Sequence, residues 1–321
     1  MTKKEKLLPI IGIILAPVLA TVTTILRAGS LFTEYDKTSG YFSSPALLNT
    51  AFLWVCTLAL ALFLAFAILG RRYFPAPTYR SSLSVLFSSA FLIVTLAVAT
   101  LLALFSLSSV TSNLTKSFWI IAAISALISL FYFIPFFVKE EARGNAQGLL
   151  GLAPAFFCLF TAMLFYFDRT LQMNDPAKML HMLAFVVLAA YFTAEARGIL
   201  AEAKRPFCYL LSASAMLLSL SASVPNLLYN LIEGKALVLT SVYDFLLLGA
   251  TLYTLSRLLQ MMPYEYPSVH GMVQALLHRA QEEAAAEEAV PETPAPAMEV
   301  EELLAAAAIE PQDDQTPTEN T

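Results

Sequence analysis

Charge is scarce in this sequence: Asp, Glu, Lys and Arg make up 13% of its 321 residues, while apolar side chains make up 58%. An ordinary water-soluble domain carries about 25% charged and 45–50% apolar residues, so the shortage excludes a typical soluble fold. Histidine is thin as well, with only His181, His270 and His278 and no HExxH spacing, which leaves a zinc hydrolase of that kind without ligands. Cys56, Cys158 and Cys208 each sit inside an apolar run, with no CxxC among them. A disulfide framework and a thiolate metal centre are thereby excluded, and the three read as small buried hydrophobes. No phosphate-cradling GxxxxGK[ST] loop occurs, so the chain does not itself spend nucleotide. No metal and no cofactor is expected.

Lys and Arg vanish altogether after Arg279, yet the residues beyond it hold 12 of the 24 acidic groups. The body is therefore basic and the tail acidic. Because the positive charges of the body are spread over short connections, they fit a protein lying against anionic lipid and do not point to nucleic acid.

What the sequence has in abundance is long apolar runs. A bilayer core needs about 20 predominantly apolar residues in helical form. Eight stretches meet that length: 7–26, 46–69, 82–107, 118–138, 148–167, 177–196, 207–231 and 236–260. None alternates as a barrel strand would. Ser44-Pro45 and Asp175-Pro176 each set a capping residue before a proline at the first helical position. Basic residues then give direction. With the N-terminus inside, thirteen lie on the inner side, from Lys3, Lys4 and Lys6 to Arg257 and Arg279, against Arg27, Lys37, Lys116, Arg169, Lys178 and Lys235 outside. The expectation is an all-α integral membrane protein, a bundle of about eight transmembrane helices in residues 1–262, with both termini in the cytoplasm. The first stretch has a rival reading, since Lys3-Lys4-Glu5-Lys6 followed by LLPIIGIILAPVLA has the layout of a signal peptide. The apolar run continues past Ala20 to full spanning length, which favours a retained helix.

Polar residues inside the spans are the candidates for function. Asp244, counted from Lys235, lies about nine residues into the last span, a depth at which a carboxylate costs at least about 2.5 kcal/mol and must face other helices or water. In the span before it, Ser212, Ala215, Ser219, Ser223, Asn226 and Asn230 recur at spacings of three and four, along one side of a helix. A tight turn at Glu233-Gly234-Lys235 makes the two spans antiparallel neighbours and brings Asn226 to the depth of Asp244. Pro225 removes a backbone donor there and favours a kink. Two readings follow. Either these small and hydroxyl residues let helices pack closely, with Asp244 bonded to Asn226 as glue, or Asp244, Asn226, Asn230, Ser219 and Ser223 line a proton- or cation-linked binding site.

Charges also appear at span ends, as Glu141-Ala142-Arg143-Gly144 and Glu195-Ala196-Arg197-Gly198. Glu195 lies about 30 Å along its helix from Pro176, which puts it at the inner membrane boundary. Being two apart, Glu195 and Arg197 point to different sides. They read as membrane-exit anchors; the alternative is that Glu141, Arg143, Glu195 and Arg197 form a cytoplasmic binding rim. The loop 27–45 reads as a turn-rich external connection.

Catalytic constellations are missing. Tyr243-Asp244 resembles the YD of intramembrane aspartyl proteases, but no GxGD and no second deep aspartate follow it. Glu140-Glu141-Ala142-Arg143 resembles part of the glutamate motif of CAAX-type membrane proteases, but its arginine spacing differs and the histidine elements are absent. No enzyme is expected.

After Met262 the composition changes. Residues 263–280 hold one short amphipathic segment, with Met272, Val273, Leu276 and Leu277 on adjoining helical positions. Residues 281–321 are Ala, Glu and Pro with few large apolar side chains, and read as a disordered acidic tail. Within them, 298–310 has helix-forming composition and anchors for a cytoplasmic protein. The sequence thus points to a non-catalytic plasma-membrane protein, scaffold or sensor-like, which contacts cytoplasmic partners through its tail. The alternative is a small-molecule transporter or permease component with its polar site at Asp244 and Asn226, the ligand unknown.

Overall fold

The structure is a computed structural model that describes residues 3–36, 39–74, 79, 81–107, 112–138, 144–167, 175–200, 205–233 and 239–262, with His278, Arg279 and Gln281 beyond them. Its helices are α1 Lys3–Thr33, α2 Leu47–Leu69, α3 Leu83–Ser106, α4 Asn113–Phe133, α5 Pro135–Val138, α6 Asn145–Leu150, α7 Leu152–Phe167, α8 Pro176–Leu200, α9 Arg205–Ile232 and α10 Leu239–Gln260. A two-residue antiparallel pair, β1 Tyr35–Asp36 with β2 Tyr41–Phe42, joins α1 to α2. The segments 263–280 and 281–321, Glu141, Arg143 and the Gly234-Lys235 turn lie almost wholly outside the described residues.

Among the described residues, eight helices are long and apolar enough to cross a membrane, α4 counting with α5 and α6 with α7. Their outward faces stay apolar: Leu53, Trp54, Leu58, Leu64 and Ile68 on α2 are all exposed. In water so large an apolar surface would drive association, whereas hydrocarbon solvates it and helices satisfy their own backbone. The chain is a polytopic membrane protein on this ground.

Successive packing of α3 on α4, α4 on α7, α7 on α8, α8 on α9, α9 on α10 and α10 back on α3 closes a ring of six spanning helices, with α1 and α2 laid against α9 from outside. Close approach follows from small residues. Ala213, Ala215, Ser219, Ser221, Ala222 and Ser223 of α9 are all buried, which lets neighbouring backbones come near. Gly249 does the same for α10, where an added Cβ would stand 2.8 Å from Cδ1 of Phe91 on α3. Aromatic side chains fill the ring: Phe133, Phe136, Phe192 and Tyr253 interlock toward the face where the chain begins, and Phe165, Phe185 and Tyr243 toward the other.

Helix breaks have local causes. Pro135 interrupts the fourth span, and the Tyr132 carbonyl near the break accepts a hydrogen bond from the Gln147 amide at 2.6 Å. Asp175 caps α8 as its position before Pro176 predicts, its Oδ1 accepting from the Ala177 and Lys178 amides at 2.8 and 3.0 Å. Ser44 does not cap α2. That helix starts later, at Leu47, and the Glu34 carboxylate reaches over from the end of α1 to accept from the Leu48 and Asn49 amides at 2.7 and 2.9 Å. Glu34→Ala should therefore lower unfolding stability by about 1–2 kcal/mol, the range of a lost N-cap. Thermal unfolding of the variant in detergent checks this, and an unshifted midpoint would show that the cap contributes nothing.

The first helix also runs seven residues past the expected end at Leu26. Arg27 is consequently no loop charge; it is 2% exposed inside α1. Nη1 donates to Oδ1 of Asn49 at 3.2 Å, and the guanidinium lies 4.9 and 5.5 Å from the ring centroids of Phe42 and Phe52. Ring faces and a side-chain carbonyl thus stand in for part of the water around the guanidinium, while its Nη2 has no hydrogen-bond partner among the described residues. Lys178 and Arg257 are buried too, so three of the basic residues used to read orientation report on packing.

Candidate functional site

Asp244 sits on α10 five residues after its first residue, Leu239, about 7 Å along the helix and shallower than a start at 236 implies. It is 1% exposed. Its Oδ1 lies 2.6 Å from Nε2 of His181, the sixth residue of α8. The other ring nitrogen, Nδ1, stands 2.8 Å from the Ala177 carbonyl. A carbonyl only accepts, so Nδ1 must carry hydrogen and donate. One proton then remains to be placed between Nε2 and Oδ1: on nitrogen it makes an ion pair, on oxygen a neutral one. The Asn226 side chain of α9 lies near this carboxylate. Packing holds the imidazole in place, with the Phe165 ring stacked on it at 5.3 Å. Asp244 and Asn226 are therefore brought together as their depths predict, and His181 is a partner the sequence did not disclose.

The remaining candidates of α9 spread along the helix. Ser219 and Ser223 are fully buried, and their hydroxyl oxygens have no hydrogen-bond partner among the described residues. Asn230, one turn beyond Asn226, is half-buried. Pro225 lies within α9, which is assigned as one helix throughout.

At the opposite end of the same two helices lies a second charged pair. Glu195 of α8 is 4% exposed, and its Oε1 is 3.0 Å from Nε of Arg257 on α10. The Tyr253 hydroxyl donates to that same oxygen at 2.9 Å. Arg257 donates from Nε and Nη2 to the Tyr253 oxygen and from Nη1 to Oε1 of Gln260, whose amide donates to Oγ of Ser82. Its guanidinium carbon lies 4.6, 5.1 and 5.6 Å from the ring centroids of Phe136, Tyr253 and Tyr79. Arg197 points away and is exposed. The two charges therefore do face different sides, but Glu195 is turned into the bundle and is no solvent-facing anchor. Its supposed rim partners, Glu141 and Arg143, lie outside the described residues.

A cavity opens beside this second pair, lined by Tyr79, Tyr191, Ala194, Glu195, Cys208, Ser212, Arg257 and Met261. It offers about 20 Å³ to the centres of water-sized molecules, room for one or two waters. Among the described residues no three His, Cys, Asp or Glu side chains converge as metal ligands do.

Both pairs were within reach of sequence reasoning by one signal. His181 and Asp244 fall five residues after the first residues of α8 and α10, while Glu195 and Arg257 lie near the last ones. The two spans run in the same direction, so equal distance from a span end means equal depth. Their lateral adjacency, which turns equal depth into contact, had no such signal.

No family model matches this chain. No curated protein matches it, and no solved structure matches it.

Proposed function

We propose that the protein is a non-catalytic carrier or permease component of the plasma membrane, with both termini cytoplasmic, which takes a small polar solute and handles a proton at Asp244. The observation that supports this most is the buried His181–Asp244 contact, in which the position of one proton decides whether the bundle holds a dipole or an ion pair. Intramembrane ionisable residues are costly and mark ion or substrate routes more often than they serve packing. Asn226 joins this carboxylate to the polar stripe of α9, where Ser219, Ser223 and Asn230 extend the route.

The test is native mass spectrometry of the protein purified in mild detergent from its own host, as wild type and as Asp244→Asn. The variant is expected to keep its melting profile and to lose a co-purifying small-molecule adduct. An adduct equally abundant in both forms would sink the reading.

A scaffold role remains a second reading, supported by the charge division of the sequence, which places 12 acidic residues and no basic ones after Arg279. Its partner would be a cytoplasmic protein docking on residues 298–310. Truncation after Arg279 should then remove a co-purifying protein while leaving the bundle folded.

A further inference from the structure

We infer that the cavity beside Glu195 and Arg257 is a built water site, in which one or two bound waters join α9 to the charged pair through the hydroxyls of Ser212 and Tyr191. This goes beyond the transport reading and does not depend on it, since the cavity lies at the other end of the helices from Asp244.

The space arises where three helices each present one turn. Tyr191 and Glu195 on α8, Cys208 and Ser212 on α9, and Arg257 with Met261 at the end of α10 are each four residues apart, so each pair shares a helix face. Both side chains from α9 are small, which leaves a gap between the facing turns. Glu195 and Arg257 bond to each other, to Tyr253 and to Gln260, all of them on α8 or α10. Among the described residues none of these bonds reaches α9.

What opens on the gap decides the occupant. Oε2 of Glu195 is sealed off and takes no part. The hydroxyls of Ser212 and Tyr191 bond to no described residue either, yet they are not sealed as that oxygen is, and both residues line the cavity. A hydroxyl both donates and accepts, and leaving one without a partner in the interior is costly. The site therefore calls for a molecule that can do both.

Arg257 adds donors to the wall. Its Nη1 and Nη2 carry two hydrogens each and spend one apiece on Gln260 and Tyr253. A cation in the cavity would meet that guanidinium, and an anion would meet the carboxylate beside it, so the pair selects against net charge of either sign. Two hydroxyls and a guanidinium supply the about three polar partners that a buried water takes. Size does the rest, since the 20 Å³ open to water-sized molecules exceeds the roughly 10–15 Å³ one water needs and leaves little for a larger solute.

X-ray radiolytic footprinting of the full chain in lipid nanodiscs, read by mass spectrometry, tests the site, because hydroxyl radicals made from a bound water attack the side chains that touch it. Met261 and Tyr191 should be oxidised several-fold faster than Met216 and Tyr243, which are also buried but do not line the cavity. Ser212→Val removes the hydroxyl and fills the gap with methyl groups, so it should bring Met261 and Tyr191 down to the rate of those controls. If Ser212→Val does not fold, Cys208→Leu fills the same gap from one turn away and should do the same. If neither folds, the wild-type comparison decides. Equal oxidation of cavity residues and controls in wild type, or oxidation of Met261 and Tyr191 that a folded filling variant leaves unchanged, would each overturn the assignment.

Discussion

Arg257→Leu is expected to lower the stability of the bundle by about 3–5 kcal/mol, the cost of breaking a buried ion pair by removing one partner. The reason lies in what is left behind. Glu195 would lose the guanidinium at 3.0 Å and keep only the Tyr253 hydroxyl, with one oxygen already lacking a donor. Gln260 would also lose the donor to its Oε1, and Phe136, Tyr253 and Tyr79 would lose the cation they surround. The double variant Glu195→Leu, Arg257→Leu should recover most of that loss, because apolar residues of similar volume often replace a buried pair at little or no cost. Thermal unfolding of the three forms in one detergent gives the comparison. A double variant as unstable as the single one would mean that packing around the rings, and not the stranded charge, is responsible.

The second large effect concerns His181 and Asp244. A double-mutant cycle with His181→Ala, Asp244→Ala and both together should return a coupling energy of about 2–3 kcal/mol, the upper part of the range for residues in direct contact. The 2.6 Å separation is that of a charge-assisted or strongly shared hydrogen bond. The dry surroundings, with Phe165 over the imidazole, keep water from substituting for either partner. Coupling below about 0.5 kcal/mol, the level of distant independent sites, would show that the contact does not hold in the membrane. Because Asn226 lies near Asp244, Asn226→Ala should reduce the coupling without abolishing it.

The two pairs also tie together opposite ends of the same two helices. Charges hold α8 and α10 together near each end, 14 residues apart on one helix and 13 on the other, and aromatic rings occupy the length between. His181–Asp244 is the pair that can neutralise itself with a single proton shift. Glu195–Arg257 cannot do so, since guanidinium does not give up its proton in proteins.

The sequence by itself determined the all-helical membrane class and the positions of eight spans, because hydrocarbon leaves few ways to satisfy a backbone and the length of an apolar run is read directly. It also placed Asp175 as a cap, and it set Asn226 and Asp244 at matching depth. Those are properties of one helix or of one hairpin, carried by spacing. Only the tertiary structure decided the rest. Arg27, read as a loop residue, lies inside α1, where Asn49 and two phenylalanine rings from later segments meet its guanidinium. Glu195, read as a boundary anchor, faces inward because Arg257 and Tyr253 come to meet it from a helix some sixty residues later. A charge near a span end has the same sequence signature whether it faces headgroups or a neighbouring helix. What decides between them is which helices lie side by side, and that follows from the packing of the whole ring.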